Sequence, residues 1–118
     1  MQGKRTERIA ELIKQSLGSN ILTKIRDPRL GFVTITHVSI TPDLEYAKVF
    51  YTVLGDDKVR KSSAVALESS RGFLQKALAS EIKMRVTPIL SFHYDDSILE
   101  GMKIEEILKK IHEEEERK

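Results

Sequence analysis

Cysteine is absent from the 118-residue chain, so neither a disulfide framework nor a cysteine-ligated zinc knuckle can hold it together. Aromatic residues are scarce, at 6% of the total, which predicts that stacking bases on an aromatic platform is not its main device. No apolar run approaches the roughly 20 residues that a membrane-spanning helix needs, and no membrane partner is expected. The start, MQGKRTERIAELIKQ, is charged and amphipathic rather than apolar, unlike a signal peptide. Cytoplasmic residence is therefore expected. Catalytic signatures are missing as well: the chain has no glycine-rich phosphate loop and no serine or cysteine nucleophile motif. Of the three histidines, His37, His93 and His112, none has a second histidine at metal-ligand spacing. "HYDD" at His93–Asp96 groups two carboxylates, but aspartates that end a strand more often cap a turn or a helix. An enzyme is the less favoured reading, and no metal or cofactor is expected.

Charge is plentiful and unevenly placed. The net charge is +2. Residues Met1–Tyr94 hold 15 Lys and Arg against 9 Asp and Glu, whereas Asp95–Lys118 hold 5 against 9. An ordinary solvated surface with an acidic tail accounts for this split. So does a basic body suited to a polyanion, with a segment that faces elsewhere.

The length suits one domain with one core, expected over residues 1–112, with a charged flexible tail at 113–118. Ile9, Leu12, Ile13, Leu17 and Ile21 form a helical stripe between Thr6 and about Leu22. "IRDPRLGF" ends that helix, because Pro28 disfavours helical geometry at Asp27 and Gly31 frees a turn. "FVTITHVSI", Phe32–Ile40, is a β-branched strand whose alternation slips, as a bulge or burial of both faces would produce. "TPDLE" turns the chain into a second strand, "YAKVFYTVL", with Ala47, Val49, Tyr51 and Val53 on its apolar face. Asp56 or Asp57 caps a long helical region that runs to about Met84. "TPILSFHY", Thr87–Tyr94, is a third strand, and Ile104, Ile107, Leu108 and Ile111 mark a last amphipathic helix. A strand–helix–strand passage makes a right-handed crossover between parallel strands. The expected class is α+β: a hairpin, a third strand parallel to its second, and helices on one face.

Projected at about 100° per residue, the long helical region gathers Val59, Ser63, Ala66, Leu67, Ser70, Phe73, Leu74, Ala77 and Leu78 on a core side. Gly72 falls on the opposite side with Lys61, Lys76 and Lys83. Glycine inside a helix costs about 1 kcal/mol relative to alanine. It marks either a kink that divides one helix into two, or bare backbone left for the close approach of a partner. A kink that merely follows the curvature of the sheet is the bland alternative.

Three segments carry a resemblance over nearly the whole chain: "DPRLGFVTIT" at Asp27–Thr36, "DLEYAKVFYTVLGD" at Asp43–Asp56 and "RGFLQKALASEIKMRVTPILSFHYDDSI" at Arg71–Ile98. In that order and spacing they resemble the ribosome-binding factor A family of bacterial maturation factors. The resemblance implies a KH-like fold of the second type, ordered helix–strand–strand–helix–kink–helix–strand, here with a C-terminal helix. In place of the GxxG loop with which ordinary KH domains grip RNA, it implies an Ala-x-Gly kink, matched by Ser70, Arg71 and Gly72. Serine stands where that pattern has alanine, and serine can also bend a helix by bonding to the preceding turn. The resemblance further implies binding to the immature small (30S) ribosomal subunit and its 16S rRNA, help in late maturation and rRNA processing, a role in growth at low temperature, and release aided by a ribosome-associated GTPase. A monomer is expected.

Lys and Arg bind phosphate arrays by displacing counterions, and arginine adds paired hydrogen bonds. The candidate RNA-binding residues are therefore Arg71, Gly72, Lys76, Lys83 and Arg85 along the kinked helix and the loop after it, with Arg26 and Arg29 from the "IRDPRLGF" turn. Arg5 and Arg8 form a weaker third group. For any single member, a solvated surface charge is the competing reading. A protein-interaction module, docking a basic ribosomal protein or another assembly factor through the acidic last helix, is the alternative function.

Overall fold

The computed structural model describes residues 2–97 and 109–112. Its elements in chain order are α1 (Gln2–Thr23), β1 (Phe32–Ile40), β2 (Tyr46–Leu54), α2 (Asp57–Glu81) and β3 (Ile89–Tyr94). Residues 109–112 are helical, with Ile111 exposed. Ile104, Ile107 and Leu108 of the expected last helix, and the expected tail at 113–118, lie outside the described residues.

The strands lie in the order β1–β2–β3. β2 is central, antiparallel to β1 and parallel to β3, as the crossover rule requires of strands joined through α2. The slipped alternation of β1 has a single cause. Ile35 faces Tyr51 and His37 faces Phe50, so Thr36 is an extra residue without a partner of its own. This bulge lets Ile35 and Val38 both reach the core despite their odd separation. On β2 the pattern is regular, and Ala47, Val49, Tyr51 and Val53 are all buried. Between the strands Leu44 holds a φ of +63°. The turn is fixed by the Asp43 carboxylate, which accepts from the Glu45 N–H at 3.0 Å and the Thr41 hydroxyl at 2.5 Å.

Both helices pack on one face of the sheet, where Ile13, Leu17 and Ile21 of α1 meet Leu67, Leu74 and Leu78 of α2 and the inward residues of the strands. Two polar joints fix their placement. Glu81, at the end of α2, accepts from Ser16 Oγ at 2.5 Å and Asn20 Nδ2 at 3.0 Å, both on α1. The same two bonds hold its carboxyl below the usual carboxylate range. Gln75 reaches the strand arriving beside α2: its Nε2 donates to the Pro88 carbonyl at 2.5 Å and its Oε1 accepts from the Leu90 N–H at 3.1 Å.

The expected division of α2 is corrected. The helix runs unbroken from Asp57 to Glu81 through Ser70, Arg71 and Gly72. Leu67 precedes the glycine and Leu74 and Leu78 follow it, and all three are fully buried on one stripe. Burying a leucine stabilises by about 1.5–3 kcal/mol, so these anchors outweigh the roughly 1 kcal/mol that the glycine costs. Helix α2 also stops at Glu81, three residues before the expected Met84, with Ile82 extended as its C-cap. Asp56 is the N-cap, accepting from the Val59 N–H at 3.0 Å. Phe73, expected on the core side, is 48% exposed.

Candidate nucleic-acid interface

The outer side of α2 presents Arg71, Gly72 and Lys76 to solvent. A Cβ placed on Gly72 would meet nothing within 4 Å, so no packing inside the protein requires the glycine. Arg71 and Gly72 line a shallow groove of about 410 Å³ with Glu68, Gln75 and Ile89. Arg71 Nε stands 3.7 Å from Glu68 Oε2, with both side chains about half exposed. An exposed pair of this kind holds its partners weakly, and the guanidinium stays free to exchange Glu68 for a phosphate.

Lys83 and Arg85 lie beyond the helix, in the segment leading to β3. They line a second groove, of about 460 Å³, to which α1 contributes Arg5. The fold thus joins the amino-terminal arginine to two of the main candidates, a grouping that sequence separation hid. Leu12, Met84 and Val86 supply apolar wall, and Asp43 is the acid among the lining residues. Lys83 and Arg85 are themselves exposed.

The "IRDPRLGF" turn divides its two arginines between different tasks. Arg26 is exposed and borders a hollow of about 500 Å³ with Ile21, Leu22 and Phe32. Arg29 is engaged within the protein. Its Nε and Nη2 reach the Asp27 carboxylate at 3.1 and 2.7 Å, and Nη2 also lies 3.3 Å from Ser69 Oγ on α2. The hydrogen bonds from Arg29 hold the Asp27 carboxyl below its usual range, and Asp27 in turn holds the Arg29 guanidinium above its own. Arg29 therefore fastens the turn to α2 one residue before the Ser70–Gly72 segment.

A second fastener is Gly31, whose N–H donates to Ser63 Oγ at 2.8 Å. A Cβ there would stand 2.7 Å from Val59 Cγ1. The sequence gives Gly31 a turn's freedom; the structure adds that the backbone must touch α2 at this point. Ser63, fully buried, was legible only as a small residue on the core stripe.

Other charged groups on these elements serve the fold. The Arg60 guanidinium carbon stands 3.7 Å from the centre of the Tyr94 ring, and Arg60 Nη2 lies 3.6 Å from Asp96. Asp95 accepts from the Ser97 N–H at 3.0 Å and from Thr36 Oγ1 at 2.5 Å. Those bonds, from Ser97 first and Thr36 next, bring its carboxyl down to about 2. The "HYDD" carboxylates thus act as a cap and an ion-pair partner. Among the described residues no group of three or more His, Cys, Asp or Glu side chains is placed to hold a metal ion, and no helix is long and apolar enough to cross a membrane.

The family model described as ribosome-binding factor A matches residues 5–108. A ribosome-binding factor A of Halothermothrix orenii is 42% identical over 116 residues, covering 98% of this chain and 95% of that protein. Among solved structures, the solution structure of a Thermotoga maritima protein described as a putative ribosome binding factor A superposes with a TM-score of 0.70 at 30% identity, covering 79% of this chain and 89% of the other. A homology model of the Thermus thermophilus ribosome binding factor A, fitted into a cryo-electron-microscopy map of a 30S complex, gives a TM-score of 0.62 at 25% identity over 74% of this chain and 91% of that one.

Proposed function

Because the chain belongs to the ribosome-binding factor A family, whose members are ribosome-assembly factors rather than enzymes, we propose that it binds immature small (30S) ribosomal subunits through 16S rRNA and assists late rRNA processing and maturation, including growth at low temperature. The observation that carries this reading is the outer side of α2. Two cations flank a glycine that no internal contact calls for, with the Arg5–Lys83–Arg85 groove as a second cationic site. Arg71, Lys76, Lys83 and Arg85 contact phosphates, and Arg26 adds a contact from the neighbouring turn. Gly72 lets a ribose-phosphate chain approach the helix backbone, and Arg29 holds the turn in place rather than leading the contact. The chain acts through one KH-like unit. The protein works as a cytoplasmic monomer without a membrane partner, and a ribosome-associated GTPase promotes its release.

Phosphate contacts of this kind make affinity fall linearly with salt on a double-logarithmic scale, with a slope set by the number of contacts. Sedimentation with immature and mature small subunits across a salt series tests the reading. The unaltered chain is expected to pellet preferentially with immature subunits. Arg71→Glu combined with Lys83→Glu is expected to weaken binding at moderate salt and make the slope shallower, while the circular dichroism spectrum is unchanged. Unaltered affinity would remove these residues from the site. A complex that survives RNase treatment would favour docking on a ribosomal protein or another factor instead.

A further inference from the structure

The face of the sheet turned away from α1 and α2 is open among the described residues, and it is not blank. His37 on β1, Phe50 on β2 and His93 on β3 occupy one row of the ladder. Their ring centres are 6.0 Å and 5.6 Å apart, with interplanar angles of 32° and 37°. At a strand spacing of about 4.8 Å, the row crosses the full width of the sheet. Both imidazoles are exposed and Phe50 is half-buried. Further along the sheet stands a row of Ser39, Lys48 and Ser91, in which Ser91 Oγ lies 2.9 Å from His93 Nε2.

The charge on this face is one-sided. The outward positions of the three strands hold no carboxylate, and Lys48 is their one permanent charge. Acids stand at its rim: Asp95 beyond the end of β3 is bonded to Thr36 and Ser97, and Glu7 and Glu11 of α1 share a hollow with His37 at the β1 edge. Rings exposed in a row, hydroxyls beside them and a cation without a competing acid suit a polyanion with planar groups. Phe50 stands at the centre of the row between the two imidazoles, and Phe32, Tyr46, Leu54 and Ile89 add exposed apolar surface towards the ends of the same face. An apolar peptide lying across it would cover His37, Lys48 and His93 without giving them hydrogen-bond partners, a cost that single-stranded RNA avoids. Every nucleobase offers a π-face to such rings, histidine is among the side chains on which unstacked RNA bases lie, and Lys48 is placed for the connecting phosphate.

We propose that this open sheet face is a second RNA contact, in which unpaired bases of single-stranded RNA stack on the His37–Phe50–His93 row with Lys48 at the backbone. The proposal rests on the RNA-binding function above and adds a contact of different chemistry on the opposite side of the molecule. Counting Phe, Tyr and Trp predicted little stacking; the row escapes that count because two of its three rings are imidazoles, brought together from three strands.

The test is a titration of the isotope-labelled full chain with a short unstructured oligouridine at neutral pH, followed by amide chemical shifts. Shifts are expected on the sheet, at Thr34, Lys48 and Ser91. His37→Ala combined with His93→Ala is expected to weaken binding about fivefold or more, the lower end of what one stacked base contributes. Because no Lys or Arg is removed, the salt slope should stay unchanged. His37→Phe with His93→Phe should restore affinity and serves as the control for folding. Shifts confined to α2 and residues 83–85, an absence of any shift, or equal affinity of the alanine variant would each overturn the proposal. Close contacts from residues beyond Ser97 onto the ring row would assign the face to the chain's own C-terminal segment, and would overturn it too. If the alanine variant loses the oligonucleotide while subunit sedimentation fails for the unaltered chain, the sheet contact stands and the ribosomal reading falls. The reverse pattern removes the sheet contact alone.

Discussion

Gly72 and Gly31 are one residue type under opposite constraints, and alanine substitution separates them. At Gly72 a methyl group enters open space within a continuous helix. Gly72→Ala is therefore expected to raise stability by about 1 kcal/mol, read as a higher midpoint in urea unfolding. If the bare backbone serves RNA, the same variant is the rare one that gains stability and loses subunit affinity. Gain without loss would show that the glycine is dispensable for binding. At Gly31 the added methyl meets Val59 and crowds Ser63, so Gly31→Ala is expected to destabilise by about 1–3 kcal/mol through overpacking, seen as a lower urea midpoint. Periodicity alone placed Gly72 outside, because a helix projection needs nothing but spacing. The demand on Gly31 was hidden, since its neighbour lies 28 positions away and is brought there by α2.

Among the elements, the strands were the most legible. β-branched alternation gave β1 and β2 their observed bounds, and the crossover rule gave β3 its direction. Even the irregularity of β1 was visible as a slip, although only the pairing with β2 identifies Thr36 as its cause. Helix α2 was legible as a face; of the two readings that Gly72 left open, the continuous helix excludes a division into two and leaves bare backbone, with buried leucines on either side holding the helix together. Gln75, which is not among the residues that projection gathers on the core side, proved to be the side chain that receives β3. Gln75→Ala is expected to leave the Pro88 carbonyl and the Leu90 N–H without this partner. It should speed amide hydrogen exchange in β3 more than in β1, because opening of the β3 edge then needs less free energy. Exchange raised equally across the whole sheet would mean that Gln75 acts through global stability instead.

For the whole molecule, two carboxylates join elements that are distant in sequence and a third braces a turn, and their titration links these joints to pH. Glu81 ties α2 to α1, Asp27 the turn to its own arginine, and Asp95 the end of β3 to the bulge of β1. Each has a lowered pKa in the folded protein. A carboxylate lowered by folding stabilises fully above its unfolded value and ceases to do so as pH falls through the folded one. For Asp95 that window runs from its ordinary 3.8 down to about 2. Urea midpoints measured from pH 5 to pH 2 are expected to fall on acidification. Asp95→Asn should start lower at pH 5 and fall less across the last two units. Parallel curves for the two proteins would remove Asp95 from the acid response. The candidate site belongs to this scale too. Its cations were legible one by one, but the grouping of Arg5 with Lys83 and Arg85 depends on how α1 lies against the segment before β3, which no local pattern encodes.

The parallel pairing of β3 with β2 has a consequence for how such a chain is made. β2 is complete at Leu54, yet the strand that covers its second edge ends only at Tyr94. A chain emerging from its own ribosome therefore carries a finished hairpin with one bare side while the whole of α2 is still being translated. Closing that gap joins residues more than 40 positions apart, a slow, entropically costly loop closure. The last short strand sets the moment at which the nascent domain stops being open to a wrong partner.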